Sequence, residues 1–171
     1  QVTITLTNSL PVAAGNTSIV IPGVQVAAQG GVAGLVTQEA EPGGSVTYTF
    51  QATQPGTYMY HSGTRPDLQV EMGLYGAIIV VPTSAPSGCQ AGPYSLSASA
   101  YGIAGTCYDR EYLFVLSEIQ VEIHQAVEMQ SSGAGPINVS LQPYTPEYWL
   151  INGRSAPSTM EEANSGVMPH Q

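Results

Sequence analysis

The residues best suited to metal chemistry lie in one short segment, Tyr58-Met59-Tyr60-His61. If this segment is a β-strand, alternation places Met59 and His61 on one face and the two tyrosines on the other. Imidazole and thioether groups are donors for transition metals. Met59 and His61, with Met72 further along the chain, are therefore candidate ligands of a weak metal site. The alternative, which a single imidazole favours, is that His61 is a packing or hydrogen-bonding histidine.

The two cysteines of the chain, Cys89 and Cys107, lie in sequence rich in Gly, Pro and Ser. Neither belongs to a Cys-x-x-Cys pair or lies beside a run of histidines, so their spacing does not indicate zinc. We predict a disulfide between them, which the chain-entropy model values at roughly 3 kcal/mol for a loop of this size. The alternative is a pair of free thiols in a reducing compartment. The disulfide and the scarcity of lysine favour an exported protein.

The remaining titratable residues give weaker signals. Arg65 and Asp67, close to His61, are interpreted as an ion pair in a loop. His124 lies four residues before Glu128 on a predicted helix, which is the spacing of an ordinary surface pair.

Several other kinds of site have little support in the sequence. It contains no Gly-x-Ser-x-Gly elbow and no phosphate-binding glycine loop between a strand and a helix, so neither a hydrolase nor a nucleotide-binding protein is indicated. Glu161 and Glu162 are interpreted as a solvated pair in coil. Trp149, beside Tyr148, is predicted to lie in a core, with stacking on a substrate as the alternative.

The charge balance excludes two classes of partner. Lys+Arg 3 against Asp+Glu 12 gives a net charge of −9 in 171 residues. Such a chain lacks the cationic surface that binds nucleic acid or anionic lipid. Hydrophobic residues make up 43% of the sequence, which is typical of a globular protein. No apolar run approaches the roughly 20 residues of a membrane span.

The elements that must position the candidate ligands are mostly strands. Alternating or apolar runs predict strands at 2–7, 17–21, 45–50, 56–61, 76–81, 111–117, 137–141 and 147–151, and residues 118–130 are predicted to be helical. The run at 76–81 is expected to be buried on both faces. Short strands separated by Gly- and Pro-containing turns predict an all-β fold, a Greek-key β-sandwich or barrel.

The domain organisation follows from a change in composition after Pro82. We predict one domain at 1–82, a Pro/Gly/Ser-rich connection with the disulfide at 83–110, and the beginning of a second domain at 111–171. The last twenty or so residues are expected to be coil. Gln1 opens directly into a strand, so we expect one or more N-terminal strands to be missing and the chain to be a segment of a longer polypeptide.

A longer pattern runs through the same region. Pro55-Gly56-Thr57-Tyr58-Met59-Tyr60-His61-Ser62-Gly63, followed by the Gly-Leu-Tyr-Gly-Ala-Ile-Ile-Val of residues 73–80, resembles the first-domain signature of multicopper oxidases, the laccase-like family with plastocyanin-like domains. Further similar segments occur in family order on either side of it, at 2–11, 37–38, 42–43, 112–118 and 148–154. The resemblance implies a first cupredoxin-like domain and the start of a second. It also implies copper and a laccase-type oxidoreductase that oxidises a donor and reduces dioxygen to water.

The copper ligands of that family are mostly missing here. The first His-x-His pair follows a Ser-Ile step, but Ser18-Ile19 is followed by Val20, Ile21 and Pro22, so both ligand positions are apolar. The second pair, His-Ser-His, is His61-Ser62-Gly63. Val, Pro and Gly side chains offer no lone pair to a metal. Copper is therefore expected for the family but not to be held by this chain alone, with a weak copper(I) site at Met59, His61 and Met72 as the minor alternative.

Two functions remain open from the sequence. In the first, the chain is the amino-terminal portion of an exported multicopper-oxidase-like protein, and other domains build the copper sites. In the second, it is a copper-free cupredoxin-like module for structure, assembly or interaction. In both, this chain alone is not expected to be catalytic. Its expected partners are the rest of its own polypeptide or neighbouring subunits, including a homo-oligomer.

Overall fold

The structure is a computed structural model that describes residues 1–133 and 135–158, and strands dominate it. The predicted all-β class is confirmed. The strands are β1 (Val2–Thr7), β2 (Val26–Gly30), β3 (Val32–Ala33), β4 (Gln38–Glu39), β5 (Ser45–Phe50), β6 (Gly56–His61), β7 (Tyr75–Val80), β8 (Gln90–Ala91), β9 (Tyr94–Ser95), β10 (Ala98–Ser99), β11 (Cys107–Tyr108), β12 (Leu116–Ile119) and β13 (Tyr148–Ile151). The helices are α1 (Pro66–Gln69) and α2 (Val121–Ser131), with 3-10 turns at Val12–Ala14 and Ala104–Thr106.

The largest sheet is antiparallel and has β5 between β1 and β2. The alternation that predicted strands at 2–7 and 45–50 is confirmed, because Val46, Tyr48 and Phe50 are buried while the residues between them are only partly so. Val46 and Tyr48 form a small core with Ala40. The buried Tyr48 hydroxyl donates to the Gln38 carbonyl at 2.7 Å, so its burial leaves no unsatisfied group.

A second antiparallel pair, β6 and β7, carries the candidate metal residues. The strand predicted at 56–61 is confirmed. The strand predicted at 76–81 is found at Tyr75–Val80. It was expected to be buried on both faces, but it is only half-buried, and Ile79 faces outwards. In the described structure its sheet has one other strand, β6. Gly76 lies directly opposite Tyr60, and the Tyr60 ring occupies the space that a side chain at position 76 would need.

Helix α2 packs against the first half of the chain. Ile123 and Val127 on its buried face form a core with Ala13, Leu68 and Ile137. The predicted helix over 118–130 is confirmed, but it begins three residues later, at Val121. Residues 118 and 119 belong to β12 instead, where they pair with Trp149 and Tyr148.

Two predicted strands are absent from the described structure. Residues 17–21 form only isolated bridges, from Thr17 to Ala40 and from Val20 to His61. Residues 137–141 form no strand, because the backbone amide of Ile137 is bound by the Ala13 carbonyl and that of Asn138 by the Gln130 side chain. These amides are therefore not free to pair with a neighbouring strand.

The strand predicted at 111–117 is found only at Leu116–Ile119. The Asn152 side chain takes the place of a strand partner just before it. Its amide donates to the Leu113 carbonyl at 3.0 Å, and its oxygen accepts from the Val115 amide at 2.9 Å. The strand predicted at 147–151 is confirmed as β13, but Trp149 is 69% exposed, so the prediction that it lies in a core is wrong for the described structure.

The connection at 83–110 contains the short hairpins β8–β9 and β10–β11. The predicted disulfide is confirmed: Cys89 and Cys107 are bonded, with 5.5 Å between their Cα atoms. The domain boundaries at 82 and 110, the Greek-key connectivity and the missing N-terminal strands stay predictions. In the described part of the chain, neither helix combines the length and apolar character needed to cross a bilayer. Glu161, Glu162, His170 and most of the predicted C-terminal coil lie outside the described residues.

Candidate metal centre

The fold brings together three of the four positions at which the resemblance predicts copper ligands. Val20 and His61 form a two-way backbone bridge, with N–O distances of 2.8 and 3.0 Å. Gly63 lies beside them, since a Cβ built on it would be 2.5 Å from Cγ2 of Val20. Pro22 follows two residues later and is exposed. Motif positions 20, 61 and 63 are therefore adjacent in the fold, and His61 supplies the only imidazole among them.

One nitrogen of the His61 ring is already engaged. Nδ1 lies 2.8 Å from the carbonyl oxygen of Ser62. A carbonyl oxygen can only accept a hydrogen bond, so Nδ1 carries the hydrogen and Nε2 is the ring nitrogen left for another partner. This hydrogen bond fits the interpretation of His61 as a hydrogen-bonding histidine.

The groups around His61 do not fit copper. Val20 and Gly63 have no donor atom, and the nearby hydroxyls bind one another: Ser18 Oγ lies 2.8 Å from Thr64 Oγ1 and accepts from the Gly63 amide at 3.2 Å. Neutral hydroxyls are poor copper ligands compared with imidazole and thiolate. Within residues 1–133 and 135–158, no three His, Cys, Asp or Glu side chains come close enough to share a metal ion.

The two methionines and His61 line different cavities. Met59 is exposed on β6 and lines a cleft with Glu71 and Tyr75. His61 lines a different cavity, and Met72 lines the groove beside α2. The copper(I) site of Met59, His61 and Met72 stays a prediction to which this placement adds no support.

A buried amide beneath the site was missed by the sequence analysis. Gln69, 5% exposed, accepts from the hydroxyls of Thr17 at 2.9 Å and Ser62 at 2.6 Å, and donates to the Asn16 carbonyl at 2.8 Å. It joins the ends of β6 and α1 to the irregular segment that carries Val20. A polar residue between Leu68 and Val70 was the available signal, but two of its partners, Asn16 and Thr17, are 53 and 52 residues away in sequence.

A second missed residue, Glu71, joins the two halves of the chain. Its side chain is 6% exposed and accepts from the Gln120 amide and the Tyr144 hydroxyl, each at 2.8 Å. Burial raises the pKa of Tyr144 above its ordinary value, and the Glu71 carboxylate that accepts its hydrogen raises it further. The phenol therefore remains a donor at neutral pH. Glu71 is thus a hydrogen-bonded carboxylate at the contact between the β6–β7 region and α2.

Two predicted ion pairs are replaced by other contacts. His124 does not pair with Glu128: its Nε2 lies 3.3 Å from Oε1 of Glu71, because that face of α2 packs on the first half of the chain. Nε2 is buried there without a hydrogen bond of good geometry. Arg65 does not pair with Asp67 but donates from Nη1 to the Ile137 carbonyl at 2.7 Å, in the same contact region.

The fold and the composition of β6 indicate the class of protein. Small antiparallel sheets, a tyrosine-rich strand ending in a histidine and a disulfide-bearing connection describe an all-β, cupredoxin-like protein. The family model described as multicopper oxidase matches residues 1–85. This match shows that the first 85 residues are similar to the multicopper oxidase family, for which copper is the expected cofactor.

Curated relatives agree with that assignment. Laccase 1 of Metarhizium robertsii is 32% identical over 85 residues, which are 50% of this chain and 14% of the laccase. A multicopper oxidase of Talaromyces pinophilus is 48% identical over 52 residues, 30% of this chain and 8% of the relative. A copper-containing nitrite reductase of Neisseria meningitidis serogroup B is 39% identical over 57 residues, 33% of this chain and 15% of the reductase.

The chain thus spans only a small part of these relatives, between 8% and 15% of their length. The names of these relatives also differ, since they are a laccase, a multicopper oxidase and a nitrite reductase. No solved structure gives a significant match.

Proposed function

We propose that this chain is the amino-terminal, structural portion of an exported multicopper-oxidase-like protein, and that other domains of that protein bind the copper and perform the oxidation. The main support is the candidate metal centre: three of its four family ligand positions, Val20, Pro22 and Gly63, carry no donor atom. A cluster that couples oxidation of a donor to dioxygen reduction needs several imidazoles. This portion supplies one, at His61.

An exposed apolar patch on β12, β13 and the segment before β12 supports the presence of further protein around this chain. Along 112–116 every second residue is exposed: Tyr112 and Phe114 stack with ring centroids 6.5 Å apart, and Leu116 is 74% exposed. Trp149 lies on the same face, because it pairs directly with Glu118 on the neighbouring strand. Exposed apolar patches of this kind mark surfaces that are covered in the complete protein. In this proposal the cover is the remainder of the same polypeptide or a neighbouring subunit, a second copy included.

A second candidate is a copper-free cupredoxin-like module with a structural or interaction role. The hydrogen bonds that join the Ser18 hydroxyl to Thr64 Oγ1 and to the Gly63 amide favour it, because these groups already have partners within this chain. The two candidates differ in whether the complete protein oxidises anything.

Metal analysis of the complete protein separates them. Expressed with copper, it is expected to contain bound copper and to oxidise a phenolic donor. His61→Ala is expected to leave the copper content unchanged, because the copper lies in other domains. Inductively coupled plasma mass spectrometry on the wild type and the variant measures this. A complete protein without copper or oxidase activity leaves only the module, and loss of one copper equivalent in His61→Ala refutes the assignment of His61 as a non-ligand.

Export is part of the proposal and rests on the disulfide and the lysine-poor composition. Protein taken from its natural host and alkylated without reduction is expected to carry no label on Cys89 or Cys107 in its intact mass. Two labelled thiols in freshly isolated protein would contradict export to an oxidising compartment.

A further inference from the structure

We propose that Val20 and Gly63 are a sterically coupled pair that closes the family's copper position. Val20 occupies the space that any side chain at position 63 requires, so an imidazole cannot be restored there by one substitution. The inference deepens the proposed function, on which it rests in taking residues 1–85 to be a multicopper-oxidase domain that no longer binds copper.

Two neighbouring side chains fill the space beside the Cα atom of Gly63. A Cβ at this residue would lie 2.5 Å from Cγ2 of Val20 and 3.1 Å from Oγ of Ser18. The first distance is far below the 3.5 to 4.0 Å at which carbon atoms attract each other. The backbone of Gly63 is not in the left-handed region, so an alanine here meets a steric obstacle and no strain in φ.

The neighbours of Gly63 are held in place. Val20 is β-branched, with a restricted χ1, and its backbone is fixed by the two hydrogen bonds to His61. Ser18 is 3% exposed and is bound to Thr64 Oγ1 and to the Gly63 amide. A side chain at position 63 therefore has to displace a stiff valine or break a buried hydroxyl contact.

The same geometry limits what a partner could contribute. A metal ligand brought by another domain would face a valine methyl and hydroxyls that already bind one another, with Nε2 of His61 as the only free imidazole nitrogen. At position 63 the side-chain space is thus filled by Val20, in addition to the missing donor.

A double-mutant cycle tests the coupling through thermal unfolding. Gly63→Ala is expected to lower Tm by roughly 3 to 10 °C, the range for overpacking in a protein of this size. Val20→Ala/Gly63→Ala is expected to lose less than the sum of the two single changes, because removing the valine methyls opens the space. Gly105→Ala is the matched control, since a Cβ at Gly105 meets nothing within 4 Å. Additive losses, or a Gly63→Ala variant as stable as the control, overturn the coupling.

A titration with copper(II) alone provides the second readout. Val20→Ala/Gly63→His is expected to bind copper(II) at least tenfold more tightly than Gly63→His, because only the double variant has room for an imidazole beside His61. Equal affinities mean that Val20 does not close the position. Should Gly63→His fail to fold, the alanine cycle decides. Stoichiometric copper in the wild type at this place instead refutes the copper-free assignment itself, whatever the cycle gives.

Discussion

Glu71→Ala is expected to lower the free energy of unfolding by about 3 to 5 kcal/mol, the cost of removing one member of a buried, hydrogen-bonded charged set. The Glu71 side chain is 6% exposed and accepts from the Gln120 amide and the Tyr144 hydroxyl, with His124 close by. Its removal leaves the Gln120 amide without its acceptor, and leaves the Tyr144 hydroxyl with only the more distant Glu118 carbonyl, at 3.4 Å. Each buried unsatisfied donor costs about 1 to 3 kcal/mol.

Urea unfolding followed by tryptophan fluorescence measures this change. Trp149 reports on this region because it lies on β13, which pairs with β12, and β12 directly precedes α2. Glu122→Ala, which removes an exposed carboxylate from the same helix, controls for the change in net charge and is expected to shift stability by less than about 0.5 kcal/mol. Glu71→Gln keeps one oxygen acceptor and should fall between the two. A Glu71→Ala protein as stable as Glu122→Ala would show that the contact between the two halves does not depend on this carboxylate.

Gln69→Leu is expected to destabilise the protein by about 2 to 4 kcal/mol despite the similar side-chain volume. The Thr17 hydroxyl and the Asn16 carbonyl, both bound by Gln69, lose their partners, and each such loss costs about 1 to 3 kcal/mol when buried. The cost at Ser62 is smaller, because its hydroxyl lies 3.0 Å from the Thr64 carbonyl and can donate to that oxygen instead.

The same urea titration applies, with Gln51→Leu as the control because Gln51 is exposed. Hydrogen exchange adds a local readout: the Thr17 and Ala40 amides, which bind each other's carbonyls, should lose protection in Gln69→Leu. A variant as stable as the control, with unchanged exchange at these amides, would mean that the Gln69 contacts contribute nothing to holding the Val20 segment in place.

The sequence was informative wherever the structure depends on local pattern. Alternation identified β1, β5 and β6, because in each of these strands one face packs inward and the other does not. The order of short motifs identified the multicopper oxidase family, and comparison of His61-Ser62-Gly63 with the family signature located the candidate metal centre.

It was less informative where partners are distant in sequence. The chain segment 137–141 has the composition of a strand, yet its amides bind Ala13 and Gln130, contacts that no local pattern encodes. His124 has the spacing of a surface pair with Glu128, yet it faces Glu71 because α2 docks on the first half of the chain. Trp149 has the composition of a core residue but lies on an exposed face.

By itself the sequence determined the all-β class, the family, the disulfide and the loss of copper donors at positions 20, 22 and 63, since each depends on residue identity and short spacing. Only the tertiary structure decided that Val20 and Gly63 touch, that Gln69 supports the segment carrying Val20, and that Glu71 joins α2 to the β6–β7 region. The physical reason is that sterics and the satisfaction of buried polar groups depend on which distant residues the fold brings within a few ångströms.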